Sequence, residues 1–276
     1  MIKTAILITV HNRKEKTIRC LNSLFANIQD VDVFLVDDQS TDGTADEVKA
    51  IFPSVHVITS NGNLFWNRGM HLAWSEASKN QYDFYVWLNN DVVLYENAFE
   101  ELFACASLTN HSAIISGLIQ SHDEQAIIYG GTDETKKIIA TTNQLNAITH
   151  MNGNVVLVPK SVFAILGNLD PFYHHDLGDV DYGLRAQKKH IGVYTTRTPI
   201  ASCERNDVCR VRLNNSTITK RFKRLYSPLG SKPSINFYFR KQHYGFWHAL
   251  LYCLNLFFIN TISDSVNQFM FGEKYQ

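Results

Sequence analysis

The triplet Asn89–Asp91 is the first segment whose residue types could do chemistry. It follows the apolar run Val86–Leu88, so its carboxylate would stand at the exposed end of a buried strand. A divalent cation such as Mg²⁺ or Mn²⁺ prefers oxygen ligands and commonly takes further ligands from phosphates. Asn89 or Asn90 could add a hydrogen bond. The simpler interpretation of an isolated triplet is a strand-to-helix turn in which Asp91 caps the helix.

The eight residues from Asp37 to Thr44 (DDQSTDGT) form a second candidate. Asp37 and Asp38 come at the end of an apolar run, where a carboxylate could accept a hydrogen bond from the imide N–H of uracil or thymine, or from a ribose hydroxyl. Asp42 is suited to cap a helix that begins near Thr44. The alternative is a capping loop with solvated acids, and the residues alone do not decide between the two.

Acidic residues at the start of a later helix form the third candidate. Asp176 and Asp179 lie near the beginning of a predicted helix over Leu177–Lys189. A carboxylate held there could act as a general base for an attacking hydroxyl, or it could simply cap the helix. Arg185 is six residues beyond Asp179 and therefore on a different helix face, so we expect it to form a structural ion pair.

Short apolar runs alternate with amphipathic segments through the first half of the chain. Such runs are typical of strands buried on both faces of a parallel sheet, and the segments between them have helical spacing. The alternation predicts an α/β fold with a Rossmann-like, mostly parallel central sheet flanked by helices. The predicted strands are Thr4–Val10, Val31–Val36, Val55–Thr59 and Phe84–Leu88, and the predicted helices are Arg13–Asn27, Thr44–Phe52 and Asn67–Ser78.

Polar residues follow each of these four predicted strands. They are His11, Asp37–Asp38, Asn61–Gly62 and Asn89–Asp91. In an open parallel sheet, ligands bind beyond the carboxyl ends of the strands. Turns are polar in general, but two of the four clusters are acidic, and we therefore expect them to converge on one ligand-binding edge.

The second half predicts a mixed arrangement. Leu118–Ile128 and Ile138–Ala147 are predicted to pair as a β-hairpin with Gly130–Gly131 in the connection. The remaining predicted elements are strands at Asn154–Val158 and Gly192–Thr196 and a helix at Pro159–Leu166.

After residue 203 the chain becomes basic and then strongly apolar. Seven Lys and Arg residues crowd positions 205–224, where they could hold phosphates, meet an anionic membrane surface, or lie in a solvated loop and helix. Phe246–Ile262 is an apolar run of 17 residues, shorter than the about 20 that span a bilayer. Its interruptions by Asn255 and Asn260 favour a packed helix and leave peripheral membrane contact open.

The overall composition excludes some classes of protein. The 276 residues are 45% hydrophobic and 19% charged, with a formal net charge of zero, so the strong basic character of a nucleic-acid-binding protein is absent. The five cysteines are odd in number and form no C-x-x-C pair, which argues against a disulfide framework or zinc site. We expect a reducing, cytoplasmic setting, and the first apolar run is too short for a secretion signal.

Taken together, these segments resemble the family 2 glycosyltransferases of the GT-A fold. The resemblance rests on TVHNR at Thr9–Arg13, DDQSTDGT at Asp37–Thr44, the segment Asn63–Gly69 and LNND at Leu88–Asp91, in the family's order and spacing. An NND triplet in place of D-x-D is familiar from the family's rhamnosyltransferase-like branch. The resemblance implies a GT-A catalytic domain over residues 1–203, with a nucleotide-binding half (1–110) and an acceptor-binding half (111–203), and a C-terminal helical extension over 204–276.

The resemblance also implies roles for individual residues in the first half. Asp91 matches the metal-coordinating last acid of the D-x-D motif, and Asn89 stands where the first acid usually is. Asp38 matches the aspartate that contacts the base. The residues implied to bind the nucleotide-sugar are Thr9, His11, Arg13, Asp37, Asp38, Asn63, Arg68 and Asn90.

The second half would carry the catalytic base and the acceptor side. The segment His174–Arg185 (HHDLGDVDYGLR) resembles the family's E-D-x-D-x-x-x-R region, with Gly178 in place of the usual Glu. Asp179 matches the catalytic acid, and Asp176 and Asp181 are the alternatives. The residues implied to bind the acceptor are Gly153, Asn154, His175 and Asp176.

A further departure from the family concerns the metal. A His often follows the strand after this helix, and Cys203 holds that place here. A thiol is a poor ligand for a hard cation. Either Glu204 substitutes, or Mn²⁺ or Mg²⁺ is held by Asp91 and the donor's phosphates alone.

The implied activity is an inverting sugar transfer from a nucleotide-diphosphate sugar to a hydroxyl acceptor. A dTDP- or UDP-linked donor is favoured, and a glycan or lipid-linked acceptor in surface polysaccharide or lipid-linked glycan synthesis would place the protein in the cytoplasm or peripherally on the inner face of the membrane. A nucleotidyltransferase is an alternative, but Val10–Arg13 lacks its glycine-rich phosphate loop. The second alternative is a catalytically inactive module that binds a nucleotide-sugar. It is suggested by Gly178 and Cys203, which replace the family's usual Glu and His.

Overall fold

A computed structural model describes residues 2–123, 126–206 and 209–272. The chain divides into two compact units. The first unit runs to His174 and resumes over Gly178–Arg205, and the second comprises His175–Leu177 and the chain from Asn206 onward.

The first unit is built on one mixed sheet, and its amino-terminal strands are parallel. The strands are β1 (Thr4–Val10), β2 (Val31–Asp37), β3 (His56–Thr59), β4 (Phe84–Leu88), β5 (Val93–Leu94), β6 (Ile114–Ser121), β7 (Ile127–Tyr129), β8 (Gly131–Thr132), β9 (His150–Met151), β10 (Val155–Pro159) and β11 (Val193–Cys203). β1 pairs in parallel with both β2 and β4, and β2 pairs in parallel with β3, which confirms the predicted α/β sheet. β10 is antiparallel to β4 and to β6, and β11 is parallel to β6.

Helices cover both faces of this sheet because its strands are apolar on both sides. Alternate residues of β1 enter different cores, Ile6 and Ile8 on one face and Ala5 and Leu7 on the other. The sheet order is β3-β2-β1-β4-β10-β6-β11-β5, with β7 on β6. The helices are α1 (Lys14–Asn27), α2 (Thr44–Ile51), α3 (Phe65–Ala77), α4 (Ala98–Leu108), α5 (Lys160–Leu166), α6 (Gly178–Lys188), α7 (Ile218–Tyr226), α8 (Pro233–Tyr244), α9 (Phe246–Thr261) and α10 (Asp264–Phe271).

The predicted hairpin between Leu118–Ile128 and Ile138–Ala147 is wrong. β6 instead pairs with the nearby β7, and β8 pairs with β9. Ile138 and Ala147 make only isolated bridges, to Thr132 and Tyr194. The glycines prompted the error. Gly130 follows β7, and Gly131 begins β8, whose partner β9 is 18 to 20 residues further along the chain. Glu124 and Gln125, within the predicted first strand, lie outside the described residues.

The second unit consists of α7 to α10 around a small apolar core of Leu225, Leu256 and Ile259. Two buried arginines hold it together through one carboxylate. Arg212 and Arg221, only 1% and 5% exposed, donate to Asp264 Oδ1 at 2.6 and 2.7 Å. In the part of the chain that the structure describes, no helix is both long and apolar enough to cross a bilayer.

We expect Asp264→Asn to destabilise the second unit by about 2 kcal/mol at neutral pH, between the cost of breaking a buried pair and that of a surface pair, because Asp264 is partly exposed. The hydrogen bond from Arg212 holds the pKa of Asp264 below its usual value. The stabilisation is therefore present above the unfolded-state pKa and is lost as the pH falls through the lower folded-state pKa. Urea unfolding should show a difference from wild type that shrinks below about pH 4. A constant difference, or an equal loss in the exposed-charge control Asp46→Asn, would contradict this role.

Candidate active site

The carboxyl ends of β1, β2 and β4 are neighbours at one edge of the sheet, because these strands are adjacent and parallel. β10 runs antiparallel to β4, so Val155 pairs with Leu88 and the residues before β10 reach the same edge. β11 runs in the direction of β4 and therefore ends there as well, at Cys203. The topology thus brings together the polar strand ends that the sequence singles out.

Asp38 organises the loop between β3 and α3. Its buried carboxylate accepts hydrogen bonds from the Leu64 N–H at 2.9 Å, the Phe65 N–H at 2.9 Å and the Ser60 hydroxyl at 2.6 Å. These bonds hold a segment in which Asn63 and Phe65 have left-handed backbone conformations, with φ of 68° and 56°. Asp38 therefore fixes the conformation of the loop that borders this edge of the sheet.

The loop after β1 is tied to the segment DDQSTDGT. His11 Nδ1 lies 2.8 Å from the Asp38 carbonyl oxygen, and the Thr41 N–H donates to Asn12 Oδ1 at 2.7 Å. Asp42 accepts from the backbone N–H of Lys14 and of Thr44, both at 3.0 Å. Its carboxylate thus serves the first turns of α1 and α2 together, which confirms the predicted capping role.

Asp37 and Thr9 lie at the same edge, Asp37 buried and Thr9 partly buried. The Asp37 carboxylate is 2% exposed and accepts the Ser40 N–H at 3.1 Å. Thr9 packs against Gly69 of α3 so closely that a Cβ at Gly69 would lie 2.8 Å from the Thr9 Cβ. The Asp37 side chain therefore holds the backbone at Ser40, and the Thr9 side chain fixes how closely α3 approaches β1 at Gly69.

Arg13 and Asp91 form an ion pair across the ends of β1 and β4. Arg13 Nη1 lies 2.6 Å from Asp91 Oδ2, and the two side chains are 46% and 30% exposed. A guanidinium group and a carboxylate thus stand side by side at the two positions for which the resemblance implies nucleotide-sugar binding (Arg13) and metal binding (Asp91). Both remain accessible to a ligand.

The amides beside Asp91 are hydrogen-bonded within the protein. Asn89 Oδ1 accepts from the Trp66 indole N–H at 2.6 Å, and its amide also bonds to Asn154 Oδ1. The Asn90 amide donates to Thr17 Oγ1 of α1 at 3.1 Å, and Asn90 is 8% exposed. Asn89 is therefore not a free ligand in the place of the usual first acid, and the Asn90 side chain is directed toward α1.

Three side chains bear on the metal site that the resemblance implies, namely Asp91, Cys203 and Glu204. Asp91 is partly exposed beside Arg13. Burial, with the charge of Asp91 added, raises the pKa of the Cys203 thiol to about 12, so Cys203 is protonated at neutral pH. The Glu204 carboxylate is paired with Lys16 at 2.6 Å on the surface. Among the described residues, no group of three or more His, Cys, Asp or Glu side chains is arranged to hold a metal ion. A divalent cation that takes one protein carboxylate and several phosphate oxygens fits this residue set, and a cation that needs a protein cage does not.

Asp179 stands next to this cluster at the start of α6. Its carboxylate accepts the Gly153 N–H at 2.9 Å and the Val180 N–H at 2.8 Å. A Cβ at Gly153 would lie 2.6 Å from two ring atoms of Trp66 and 3.2 Å from the Asp179 Cβ. The absence of a side chain at Gly153 therefore allows Asp179 to approach the indole that holds Asn89. Two backbone donors fix the orientation of the carboxylate.

The other acids of this segment have different surroundings. Asp181 is 1% exposed and accepts from Arg185 Nε at 2.7 Å and from the Tyr173 hydroxyl at 3.1 Å, so Arg185 forms a structural ion pair as predicted. His175 and Asp176, predicted acceptor residues, belong to the second unit, where Asp176 Oδ2 lies 3.7 Å from Arg210 Nη1.

α3 and the loop before it contact the segment before α6 through polar side chains. Asn67, fully buried, donates to the carbonyl oxygens of Asp170 and Tyr173 at 2.8 and 2.9 Å. Arg68 Nε donates to the Pro171 carbonyl at 2.9 Å, and His174 Nε2 lies 2.7 Å from the carbonyl oxygen of Asn63. These contacts connect the predicted nucleotide-binding half to the helix that carries Asp179.

Gly178 fits directly under Asn67. A Cβ at Gly178 would overlap Asn67 Oδ1 and lie 2.6 Å from its Cγ. We therefore expect Gly178→Ala to destabilise the protein by about 1–3 kcal/mol, as overpacking of a buried contact does. In an Asn67→Ala background the same change should cost less than half as much in chemical denaturation, because the overlapping atoms are gone. Equal costs in the two backgrounds would show that the overlap is not the cause.

Trp66 and Gly153 are the residues of the site that the sequence patterns did not bring into contact. Trp66 is partly buried, holds Asn89 through its indole, and packs edge-on against Trp87 of β4 with ring centroids 6.1 Å apart. Only the antiparallel placement of β10 beside β4 puts Gly153 over this ring, and local sequence carries no signal for that pairing.

Comparison with known proteins agrees with this architecture. The family profile described as Glycosyl transferase family 2 matches residues 5–158, more than half of the chain. We found no curated protein that matches the sequence. The structure of S. aureus TarS superposes with a TM-score of 0.61 at 10% identity, over 98% of this chain and 46% of TarS, so this chain spans about half of the TarS length.

Two further structures, both of S. aureus TarS 1-349, resemble the chain to a similar degree. One has a TM-score of 0.60 at 11% identity and covers 98% of this chain and 75% of that one. The other, in complex with UDP-GlcNAc, has a TM-score of 0.59 at 11% identity, over 97% and 75%. These likenesses show the predicted GT-A fold. With its strand-end residues in the family's order and the profile matched over residues 5–158, the chain belongs to glycosyl transferase family 2.

Proposed function

We propose that this protein is an inverting glycosyltransferase that moves a sugar from a nucleoside diphosphate to a hydroxyl group of a glycan or lipid-linked acceptor. The observation that carries the proposal is the strand edge where the Arg13–Asp91 pair stands between the Asp38 loop and the fixed carboxylate of Asp179. In this proposal the Arg13 guanidinium and a metal ion on Asp91 would bind the diphosphate, and the Asp179 carboxylate would take the proton.

The donor would lie across the ends of β1, β2 and β4. The His11 and Asp38 segments would border the base and ribose, because they form the wall next to the Asn63–Phe65 loop. We favour a UDP- or dTDP-linked sugar. The UDP-GlcNAc complex of TarS 1-349, which shares the fold, supports a uridine donor, and the NND triplet supports a sugar of the rhamnosyltransferase-like branch.

Arg13 and Asp91 would share the diphosphate. Asp91 would hold Mn²⁺ or Mg²⁺ together with phosphate oxygens, and the cation when bound would stabilise the charge of the departing diphosphate. Binding of a cation to Asp91 competes with its ion pair to Arg13. The released guanidinium would then be free to form hydrogen bonds to a phosphate, for which its planar fork is suited.

Asp179 would act as the general base. The acceptor oxygen forms a bond to the anomeric carbon while the bond from that carbon to the diphosphate oxygen breaks, and the electron pair leaves with the diphosphate. The hydroxyl proton passes to the Asp179 carboxylate. Attack opposite the leaving group inverts the anomeric configuration. Because Gly153 and Val180 N–H groups donate to this carboxylate, it is oriented before the acceptor arrives.

The test is turnover with a panel of nucleotide-sugars and simple sugar or lipid-phosphate acceptors. Release of nucleoside diphosphate that depends on acceptor, with a product whose anomeric proton coupling shows inversion, is the expected result. Retention would overturn the proposed mechanism but not the transfer. Binding of donor with no turnover for any acceptor, by wild type and Asp179→Asn alike, would favour the inactive binding module.

The state of the thiols supports a proposal for where the reaction takes place. All five cysteines are free, and four are buried, which suits the reducing cytoplasm where nucleotide-sugars are consumed. We propose that the enzyme acts there, in the assembly of a surface polysaccharide or a lipid-linked glycan.

A further inference from the structure

Helix α9 is apolar on two opposite faces, and the second unit covers only one of them. Ala249, Cys253, Leu256 and Ile259 are buried, a spacing of four, three and three residues that marks the inner face. The 16-residue helix carries no Lys, Arg, Asp or Glu. Its outer face is therefore not the charged surface that a packed helix ordinarily shows to water.

The outer face presents a continuous row of large apolar side chains, which we call the α9 row. Trp247, Leu251, Leu254 and Phe258 are 72%, 64%, 56% and 43% exposed. Successive members of this row are four, three and four positions apart in the sequence, so they form one stripe along the helix. α10 adds Phe269, at 91%, and Met270, at 50%. A surface this apolar marks an interaction site rather than scattered exposure.

Basic helices lie along both flanks of the α9 row. On one flank, the Phe257 ring lies 5.9 Å from the Phe222 ring of α7, next to the exposed Lys223. On the other flank, the guanidinium carbon of Arg240 on α8 lies 3.4 Å from the centre of the Tyr252 ring. From residue 206 onward the chain has ten Lys and Arg against three Asp and Glu, although the net charge of the whole chain is zero.

We propose that the second unit docks on an anionic phospholipid bilayer through the α9 row. Exposed Trp, Phe and Leu side chains insert into the headgroup region of a bilayer, and the Lys and Arg residues around them attract acidic lipids. With 12, 16 and 8 residues, α8, α9 and α10 are each too short to cross the bilayer. We therefore expect α9 to lie in the plane of the surface. The charge favours this occupant over a second copy of the chain, because two such units would repel each other.

The 276-residue chain is tested by sedimentation with phosphatidylcholine vesicles that contain or lack phosphatidylglycerol. We expect at least tenfold tighter binding to the phosphatidylglycerol vesicles, weakened by salt. Because the other three tryptophans lie in the first unit and are wholly or partly buried, a blue shift of fluorescence on binding reports Trp247. The double variant Trp247→Ser/Leu254→Ser should lose at least tenfold in affinity with unchanged circular dichroism.

Leu108→Ser is the matched control, because Leu108 is 61% exposed on α4 in the first unit and should leave vesicle binding unchanged. Lys223→Glu should weaken binding to the anionic vesicles only. Failure of the wild type to bind phosphatidylglycerol vesicles, or a dimer in sedimentation equilibrium that the double variant dissociates, would overturn the proposal. The assay requires no donor or turnover, so its outcome is independent of the proposed enzymatic function.

Discussion

Asp179→Asn should lower turnover about 10³-fold while donor affinity changes less than about twofold. The substitution keeps the shape of the side chain and an oxygen that can accept the Gly153 N–H, now 2.9 Å from Asp179 Oδ2, but it removes the group that takes the proton. Because the proposed role of the carboxylate is to take a proton from the acceptor and not to bind the diphosphate, the loss should appear in kcat and not in donor binding. Steady-state kinetics and calorimetric titration with donor separate the two.

Asp176→Asn is the matched comparison, because it removes the same charge three residues earlier in the chain. Asp176 lies near Arg210 in the second unit, and we expect its loss to cost less than about tenfold in kcat. A larger loss for Asp176→Asn than for Asp179→Asn would transfer the role of base to Asp176. Asp181 is unsuited to the comparison, because its buried pair with Arg185 would be broken.

Asp91→Asn should lower kcat/KM by about 10²–10³-fold and remove the response of activity to Mn²⁺ or Mg²⁺, because the carboxylate that we propose as the cation's ligand is lost. Arg13→Gln should behave differently. It removes a phosphate donor, so donor affinity should fall about tenfold, but it also removes the partner that competes for Asp91 at 2.6 Å. The cation concentration for half-maximal activity should therefore decrease.

The two variants distinguish a shared diphosphate site from a structural ion pair. A structural pair predicts similar losses of stability and activity in both variants, with the metal response kept. Opposite effects on the metal response, with melting temperatures close to wild type, are expected if the pair opens when donor and cation bind. Lys16→Gln is the control, since Lys16 pairs with Glu204 on the surface.

The sequence predicts the amino-terminal fold well, because β1 to β4 are short apolar runs whose period and caps are local properties. The strand β1 matches its predicted bounds of Thr4–Val10, and β4 matches Phe84–Leu88. Helix α4, over Ala98–Leu108, has no amphipathic stripe that reveals it, because apolar residues dominate it. The hairpin prediction failed because the pairing of β8 with β9 joins residues 18 to 20 positions apart, which local patterns do not encode.

The candidate site is predictable in part for the same reason. Asp38, Arg13 and Asp91 each follow a recognisable strand, so their convergence follows from a parallel sheet. The hydrogen bonds that occupy Asn89 and Asn90 involve Trp66, Asn154 and Thr17, and the contact between Gly178 and Asn67 joins α6 to α3. These partners are set by tertiary packing, so the sequence gives no indication that the amides are already occupied.

The central claim is that the strand edge binds a nucleotide-sugar, and a thermal-shift panel tests it most directly. Wild type, Asp91→Asn and Asp46→Asn would be heated with UDP-, dTDP- and GDP-sugars, with and without Mn²⁺. We predict that at least one UDP- or dTDP-sugar raises the melting temperature of wild type and Asp46→Asn in a concentration-dependent manner, more so with Mn²⁺. We predict that the Mn²⁺-dependent part is lost in Asp91→Asn. No shift with any nucleotide-sugar, or the same Mn²⁺-dependent shift in Asp91→Asn as in wild type, would contradict the account.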